Sequence, residues 1–295
     1  MVDLRKIDLH IHTTVSDGTD SPAEIIERVK KAGITLFSVT DHDAFEGCVA
    51  VSKNLHTGDP CFIFGAEFSC EDELGKYHIL GYGYEPSAAS IKEIVKRGRD
   101  LRSDKLNARL DFLKEQFGFE FSKEDKKALA ALKNPGKPHI GNLMVKYGYA
   151  ATKEDAIENY IDKMTNKEKH ISPKDAISAI IDAGGIPVLA HPSYGRGDEL
   201  IIGDEMDERL NRLVSFGLEG VEAFYSGFTS PLQKEMLAFA EKYDLFVTAG
   251  SDYHGNNKLV MLGDTNLTGV DNYPQGMTDF LENVKIIDSD NSIKQ

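Results

Sequence analysis

Apolar positions along the chain fall into two alternating kinds of run: short stretches rich in β-branched residues and longer stretches with helical spacing. The first short run spans residues 7–12. A helix start follows at residues 21–24, where SPAE supplies an N-cap serine, a proline at the first helical position and a glutamate at the third. Apolar residues then recur every three or four positions up to Gly33, and a second short run spans residues 34–40. This pattern predicts one βαβ unit.

The same alternation returns in the second half of the chain. Further strand-like runs lie at residues 61–66, 77–84, 186–190, 220–224 and 245–250. Helical patterns precede or separate several of them, beginning at Ser172-Pro173 and at Pro231. About seven strands alternating with helices are typical of an α/β protein in which helices surround a parallel sheet.

Residues 86–170 interrupt this rhythm, because they contain almost no strand-like run. They predict one long charged helix at 91–117 and shorter helices near 122–132, 138–147 and 152–163. We therefore expect a discontinuous α/β barrel domain at residues 1–85 and 171–285, a helical insertion domain at 86–170 that covers one side of the site, and a polar tail at 286–295.

Composition narrows the possible partners. The 295 residues carry a formal net charge of -14, which disfavours an extended nucleic-acid surface but permits a small phosphorylated ligand beside a metal cluster. The three cysteines, Cys48, Cys61 and Cys70, have no CxxC spacing, so a reducing compartment is expected. The chain shows neither a signal-peptide pattern nor a run of 18 apolar residues, and we expect a cytoplasmic protein without membrane contact. The oligomeric state is not indicated.

Side chains with metal-binding chemistry recur where the strand-like runs end. His10 and His12 are two residues apart, so in a strand they point to the same face. Neutral imidazole is the commonest metal ligand among side chains, and the carboxyl ends of barrel strands gather at one rim. The candidate ligands are His10, His12, Asp17, His42, Glu67, His78, His191, Asp252 and His254.

This set contains six of the nine histidines and no cysteine. Imidazole nitrogens mixed with carboxylate oxygens suit Mn, Fe or Zn. The set is too large for one ion. With three or four protein ligands each and one bridging carboxylate, it suits two or three divalent ions.

The motifs DLHIHTTVSDG, TDHD, GAEFS, HILGY, AHP and GSDYHG, in this order, resemble those of the polymerase and histidinol phosphatase (PHP) superfamily over nearly the whole chain. The segment KPHIG at residues 137–141 is similar to a subgroup of nucleotide phosphoesterases that includes the bacterial 3′,5′-nucleoside bisphosphate phosphatases, also described as 5′→3′ exoribonucleases. That subgroup usually has RPHIA, and Lys137 keeps the charge of the arginine but loses its bidentate geometry.

The resemblance implies a distorted (β/α)7 barrel with a trinuclear metal site. By position, the three ions would be held by His10, His12 and Asp252, by His78 and His191, and by Asp17, His42 and His254, with Glu67 bridging the first two. Some relatives have a histidine where this chain has Asp17, and an acidic ligand there would favour harder ions such as Mn or Mg.

The expected chemistry is attack on phosphorus by a water that bridges two ions and loses its proton near neutral pH. Besides Glu67, we expect two further catalytic residues. His139 is a candidate phosphate binder or acid, and Asp43 is a candidate to orient a ligand or serve the water. A plain helix-start role for His139 is an open alternative.

The residues expected to bind the substrate are His139, Arg99, Arg102, Lys137 and Arg196. Arg99 and Arg102, with Lys105, recur at helical spacing and present one charged stripe. Asp100 and Asp104 are interspersed among them, so a solvated helix face is the alternative.

The sequence thus predicts a metal-dependent phosphoesterase that hydrolyses a phosphate monoester of a small nucleotide, such as a nucleoside 3′,5′-bisphosphate, or trims short 5′-phosphorylated RNA. Histidinol-phosphate phosphatase is the alternative enzyme. An alternative of another class is a non-catalytic metal-binding module.

Overall fold

The computed structural model describes residues 3–132, 135–165, 169–194, 200–267, 272–288 and 293–294. It divides into two compact units. The first consists of Met1–Val95 and Ile171–Gln295, and the second is Lys96–His170. The first unit contains the sheet, and the described elements of the second are helices.

The strands are β1 (Ile7–Asp8), β2 (Leu36–Val39), β3 (Cys61–Asp72), β4 (Gly75–Tyr82), β5 (Ile186–Leu189), β6 (Gly220–Tyr225), β7 (Phe246–Gly250), β8 (Ile286–Ile287) and β9 (Ile293–Lys294). The helices are α1 (Pro22–Ala32), α2 (Glu46–Asn54), α3 (Ala89–Phe117), α4 (Lys123–Ala130), α5 (Lys137–Lys146), α6 (Lys153–Asn159), α7 (Pro173–Asp182), α8 (Gly203–Ser215), α9 (Ser230–Tyr243) and α10 (Gln275–Asn283). Helices α2, α8 and α10 go beyond the sequence-based prediction.

The first seven strands form a nearly closed barrel-like sheet in the order β1 to β7. Beyond β1, the chain continues along β7: the backbone N–H of Leu9 donates to Ala249 O at 2.9 Å, and Ile11 bridges Tyr253 in parallel. These contacts bring the two ends of the sheet together. They also bring the segment after β1 next to the segment after β7, where the predicted ligands of both lie.

The sheet is mostly parallel, as expected, and β4 is the exception. This strand runs antiparallel to both β3 and β5, whereas the other neighbouring pairs among β1 to β7 are parallel. Only Glu73 and Leu74 connect β3 to β4. A connection this short permits a hairpin but no crossover, so the direction of β4 is fixed by the loop length.

Local sequence accounts for the first helix of the barrel unit. Ser21 accepts from the backbone N–H of Glu24 at 3.3 Å, and Glu24 Oε2 accepts from the backbone N–H of Ser21 at 2.7 Å, which completes the predicted capping box. The buried face of α1 carries Ile25, Ile26 and Val29, which belong to one apolar cluster with residues of β2 and β3. The helix is thus held by its cap and by its packing against the sheet.

The helical unit has its own apolar core, supplied by α3, α4, α5 and α6. Aromatic rings contribute to it: Phe119 and Tyr149 stack with centroids 4.3 Å apart. Ser122 and Thr152 cap α4 and α6 by accepting backbone N–H groups. These features explain how a segment without strands folds around a core of its own.

The described residues of the expected polar tail take part in strand pairing, since Ile287 pairs with Phe62 of β3 and β8 pairs with β9. Among the described helices, none combines the length and the apolar character that a membrane crossing requires.

Candidate metal centre

His10 and His12 lie on the extended segment between β1 and α1, and their side chains are fully buried. The backbone of this segment is fixed on both sides, since Thr40 N–H donates to Ile11 O at 2.8 Å and Asp252 N–H donates to His10 O at 2.8 Å. The Nε2 atoms of the two imidazoles lie 3.2 Å apart. The strand geometry thus brings both rings to one point, as their spacing predicts.

Glu67 on β3 is the centre of the arrangement, and its two carboxylate oxygens face different histidines. Oε2 lies 3.4 Å from His10 Nε2, 3.1 Å from His12 Nε2 and 3.0 Å from His42 Nδ1. Oε1 lies 2.8 Å from His78 Nδ1 and 3.2 Å from His191 Nε2. A carboxylate that faces two sets of imidazoles in this way is suited to bridging two ions.

A third group surrounds Asp17. Its Oδ1 lies 3.3 Å from His254 Nε2 and 3.6 Å from His12 Nδ1, and its Oδ2 lies 3.9 Å from His42 Nε2. His12 and His42 therefore each lie next to two groups. The three ligand sets that the resemblance implies are therefore not fully separate in the structure.

Asp252 follows β7 and completes the inner group. Its Oδ1 lies 3.5 Å from His10 Nε2 and 3.4 Å from His12 Nε2. Its Oδ2 accepts a hydrogen bond from Tyr225 OH at 3.1 Å and pairs with Lys258. Neither Tyr225 nor Lys258 belongs to the predicted ligand set.

Three combinations of these side chains offer ligand atoms that all lie within 4.8 Å of one another: His12, Asp17, His42 and His254; His10, His12 and Glu67; and His42, Glu67 and His78. The structure thus brings together all nine candidate ligands at one rim of the barrel. His78 reaches the rim from the antiparallel strand β4, where it pairs with Ser69 of β3.

The geometry fits bound metal ions. Two nitrogens at 2.0–2.1 Å from one tetrahedral ion lie about 3.4 Å apart. The His10–His12 pair, at 3.2 Å, and the His78–His191 pair, also at 3.2 Å, come close to this separation. Within the described part of the chain, the buried Glu67 Oε2 accepts no aligned hydrogen bond although three imidazole nitrogens lie within 3.4 Å. An imidazole nitrogen that donates no hydrogen bond to this oxygen can offer its lone pair to an ion.

The surroundings of Glu67 and His12 favour the metal-binding forms of these two ligands. Burial acts to raise the pKa of Glu67, but His78, His42 and His10 outweigh it and hold the pKa well below its usual range. Burial, together with the neighbouring His254, lowers the pKa of His12 to about 4. At neutral pH, Glu67 is therefore a carboxylate and His12 a neutral imidazole, which are the forms that bind metals.

Further buried residues hold the ligands in place. Glu222 on β6 accepts from His10 Nδ1 at 3.0 Å and from the backbone N–H of His191 at 2.7 Å. Ser16 Oγ lies 3.3 Å from His12 Nδ1 and donates to Asp41 Oδ1 at 2.6 Å. A carboxylate on the far nitrogen of a ligating histidine fixes its tautomer and orientation. In the sequence, Glu222 is recognisable only as a charged residue within the apolar run of β6.

The backbone is also unusual at this rim. Five described residues other than glycine have positive φ angles, and three of them are at the centre: Asp43 (φ 46°), His191 (φ 28°) and Asp252 (φ 59°). Such conformations are costly for residues with a Cβ atom and concentrate at functional sites. Asp43 is buried, and its carboxylate accepts from the N–H of Ser69 at 3.4 Å.

A cavity of about 220 Å³ opens onto the centre. Its lining consists of His42, Glu67, His78, His191, Tyr194, Tyr225, Asp252, His254 and Lys258. A larger groove of about 870 Å³, lined mainly by residues of α9, β7 and α10, contains none of the candidate ligands. We therefore place the chemistry at the smaller cavity.

The predicted substrate residues lie elsewhere in the chain. Arg99 and Arg102 are half-buried on α3 of the helical unit. Lys137 pairs with Asp162, and His139 Nδ1 accepts from the backbone N–H of Gly136 at 3.1 Å. This last contact is what a helix-start role for His139 requires, while its substrate role stays a prediction. Arg196 lies outside the described residues.

Comparisons with known proteins identify the family. The sequence model of the PHP domain matches residues 8–173. A phosphoribosyl 1,2-cyclic phosphate 1,2-diphosphodiesterase from Eggerthella lenta is 29% identical over 84% of the chain and 94% of its own length. A 5′-3′ exoribonuclease from Haemophilus influenzae is 27% identical, covering 85% and 90% respectively.

A 3′,5′-nucleoside bisphosphate phosphatase from Chromobacterium violaceum is 28% identical over 85% of the chain and 88% of its own length. The fold is similar to the crystal structure of a Bifidobacterium adolescentis protein assigned as a metal-dependent phosphoesterase. That match has a TM-score of 0.80 and 26% identity, and it covers 96% of the chain and 98% of the other protein.

Proposed function

Because the chain belongs to the PHP domain family, we propose that its metal centre hydrolyses a phosphate monoester of a small nucleotide, such as a nucleoside 3′,5′-bisphosphate, or removes nucleotides from short 5′-phosphorylated RNA. The protein is a metal-dependent phosphoesterase. The observation that supports a phosphate substrate most directly is the position of Glu67, whose two oxygens face two groups of imidazoles beside an open cavity.

The size of the cavity bears on the substrate. At about 220 Å³ it is smaller than most pockets that enclose a whole drug-sized ligand, and it has room for a phosphoryl group with part of a sugar. The net charge of -14 disfavours a long nucleic-acid track. A mononucleotide or the end of a short RNA meets both conditions.

We assign the metal ligands as the resemblance implies, in three groups. His10, His12 and Asp252 would hold one ion, His78 and His191 a second, and Asp17, His42 and His254 a third, and Glu67 would be shared by the first two. When bound, these divalent ions supply positive charge for the phosphate and lower the pKa of water. Since the ligands are nitrogens and carboxylate oxygens, Mn, Fe or Zn is expected.

The protein's own residues prepare this chemistry. Glu222 fixes the His10 tautomer, so that Nε2 is available to an ion. Tyr225 and Lys258 hold Asp252 Oδ2, which leaves Oδ1 facing the histidines. In this proposal His139, Arg99, Arg102, Lys137 and Arg196 handle the substrate and Asp43 supports the ligand His42.

A panel of phosphate esters tests the substrate. The purified protein, with its metal content measured, would be assayed for phosphate release from adenosine 3′,5′-bisphosphate, nucleoside monophosphates, a 5′-phosphorylated oligoribonucleotide and histidinol phosphate. We expect turnover of the bisphosphate or of the RNA end. Turnover of histidinol phosphate alone would refute the nucleotide proposal.

The panel should also contain a ribose 1,2-cyclic phosphate. A relative that is 29% identical carries a name describing this diester chemistry, so opening of a cyclic phosphate is a second candidate function. Preferred turnover of the cyclic ester would favour it over the monoester proposal.

Substitution of His139 tests its assigned role. We expect His139→Ala to raise KM or lower kcat for the nucleotide while the metal content stays unchanged. Loss of bound metal in this variant would instead make His139 a ligand, and unchanged kinetics would leave it only its contact with Gly136.

A further inference from the structure

Lys258 is a cation at the metal centre to which the mechanism above gives only a supporting contact. It follows the short 3₁₀ turn Gly255–Asn257, six residues after Asp252. That turn is fixed to the loop after His12, because Asn257 Nδ2 donates to Asp17 O at 2.7 Å and the backbone N–H of Asn256 donates to Thr19 Oγ1 at 2.9 Å. The position of Lys258 is therefore set by the same loop that carries a candidate ligand.

The two oxygens of Asp252 face different surroundings. Oδ1 lies 3.3–3.5 Å from nitrogens of His10, His12 and His254. Oδ2 accepts from Tyr225 OH at 3.1 Å and pairs with Lys258 Nζ. The Lys258 ammonium thus contacts the Asp252 oxygen that does not face the histidines. Through Asp252 it is one contact away from the candidate ligands.

Lys258 is also accessible. Its side chain is 39% exposed, whereas that of its partner Asp252 is 5% exposed. Lys258 lines the 220 Å³ cavity, and among the described residues that do so it is the one lysine or arginine. The other charged lining groups are carboxylates and imidazoles, so an incoming phosphate would meet Glu67 and Asp252 without another permanent cation from the lining.

We propose that Lys258 binds an oxygen of the substrate phosphoryl group at the cavity and so contributes directly to phosphate affinity. Asp252 and Tyr225 hold the side chain ready, and the ammonium offers three donors, of which Asp252 needs one. Orientation of Asp252 alone does not require the lysine, because the Tyr225 hydroxyl donates to the same oxygen. The inference deepens the proposed function, since it takes a phosphate as the ligand.

The experiment uses inorganic phosphate as the probe, so that it does not depend on which ester is the substrate. The metal-loaded full chain and its Lys258→Met and Lys258→Arg variants would be compared by calorimetric titration with phosphate and by metal analysis. Lys31→Met, which removes the same charge from an exposed position on α1, is the control.

We expect Lys258→Met to keep its metal ions and to bind phosphate roughly 10- to 100-fold more weakly, as loss of a charge-assisted hydrogen bond predicts. Lys258→Arg should retain most of the affinity and Lys31→Met all of it. If Lys258→Met does not fold, Lys258→Gln takes its place.

Two results would overturn the inference. Phosphate affinity within threefold of the wild type would mean that Lys258 does not contact phosphate. Loss of metal ions in Lys258→Met would make it a positioning residue for Asp252. If the wild type binds phosphate in a Lys258-dependent manner but hydrolyses no nucleotide, only the proposed substrate fails.

Discussion

The carboxylate of Glu222 accepts a hydrogen bond from His10 Nδ1 at 3.0 Å, and both side chains are fully buried. Nδ1 must carry the proton to donate this bond, which leaves the lone pair of Nε2 for an ion. The same carboxylate accepts from the backbone N–H of His191, a residue with a positive φ angle. One side chain thus sets the orientation of two candidate ligands from different strands.

Replacing Glu222 should weaken metal binding without removing a ligand. We expect Glu222→Gln to lower metal affinity roughly 10- to 100-fold, because the neutral amide holds the His10 tautomer less firmly. Competition with a chelator of known affinity measures the change. Glu241→Gln, at an exposed position on α9, should match the wild type. Unaltered metal affinity in Glu222→Gln would show that the hydrogen bond does not matter for the centre.

Gly250, the last residue of β7, provides a second way to disturb the same pair. A Cβ atom at this position would overlap both His10 Cβ and Glu222 Oε1. Gly250→Ala should therefore separate His10 from Glu222 and reduce metal content, although no charge or ligand changes. Metal analysis of the folded variant checks this, with circular dichroism to establish folding. A variant that is folded and fully metal-loaded would contradict the close packing described.

The sequence indicates the candidate metal ligands more clearly than it indicates the residues that hold those ligands in place. His10 and His12 are recognisable because a two-residue spacing in a strand has one geometric meaning. Glu222 and Lys258 were not predicted, for different reasons. Glu222 stands out as a charged residue in an apolar strand, but its partner His10 is 212 positions away. Lys258 follows a loop whose path depends on contacts with Thr19, and no local pattern encodes these.

In the fold, too, features set by neighbouring residues can be predicted, whereas pairings between residues far apart in the chain cannot. The capping box of α1 and the helical character of residues 86–170 follow from local spacing, and both are present. The antiparallel direction of β4 was also encoded locally, in the two-residue connection Glu73-Leu74, but the alternation of strands and helices elsewhere favoured a parallel assignment. The pairing of Ile287 with Phe62 joins positions too far apart for periodicity to indicate.

Glu67 provides the most direct test of the bridging arrangement. Glu67→Gln keeps the shape of the side chain but removes the charge that faces five imidazoles. We expect loss of at least one bound ion per chain and a fall in kcat of roughly 100-fold or more. Metal analysis and steady-state kinetics measure both. A variant with full metal content and near-normal kcat would exclude a bridging role.

We expect Asp17 to be a ligand of only one of the bound ions. Its carboxylate oxygens lie near nitrogens of His254, His12 and His42. Asp17→Asn is expected to lower the metal stoichiometry by one ion, because an amide oxygen is a weaker ligand for a divalent cation than a carboxylate. Asp20→Asn, at a buried position that pairs with Arg28, is a control for loss of a nearby carboxylate. Loss of every ion in Asp17→Asn would mean that the three groups do not fill independently.

Metal removal should destabilise the barrel unit. Glu67 and Asp252, which are buried, and Asp17, which is partly exposed, are held ionised by their surroundings, although desolvation opposes this in each case. Divalent ions bind this charged cluster only when the strands have brought it together, so they stabilise the folded state by mass action. A ligand at one hundred times its Kd contributes about 2.7 kcal/mol, which for a domain of this size corresponds to a Tm increase of roughly 5–10 °C. Chelation should lower Tm by that amount, and added Mn or Zn should restore it.

In His10→Ala the same treatment should have a much smaller effect, since an essential ligand is already missing. An equal response in both proteins would place the stabilising ions at a different site.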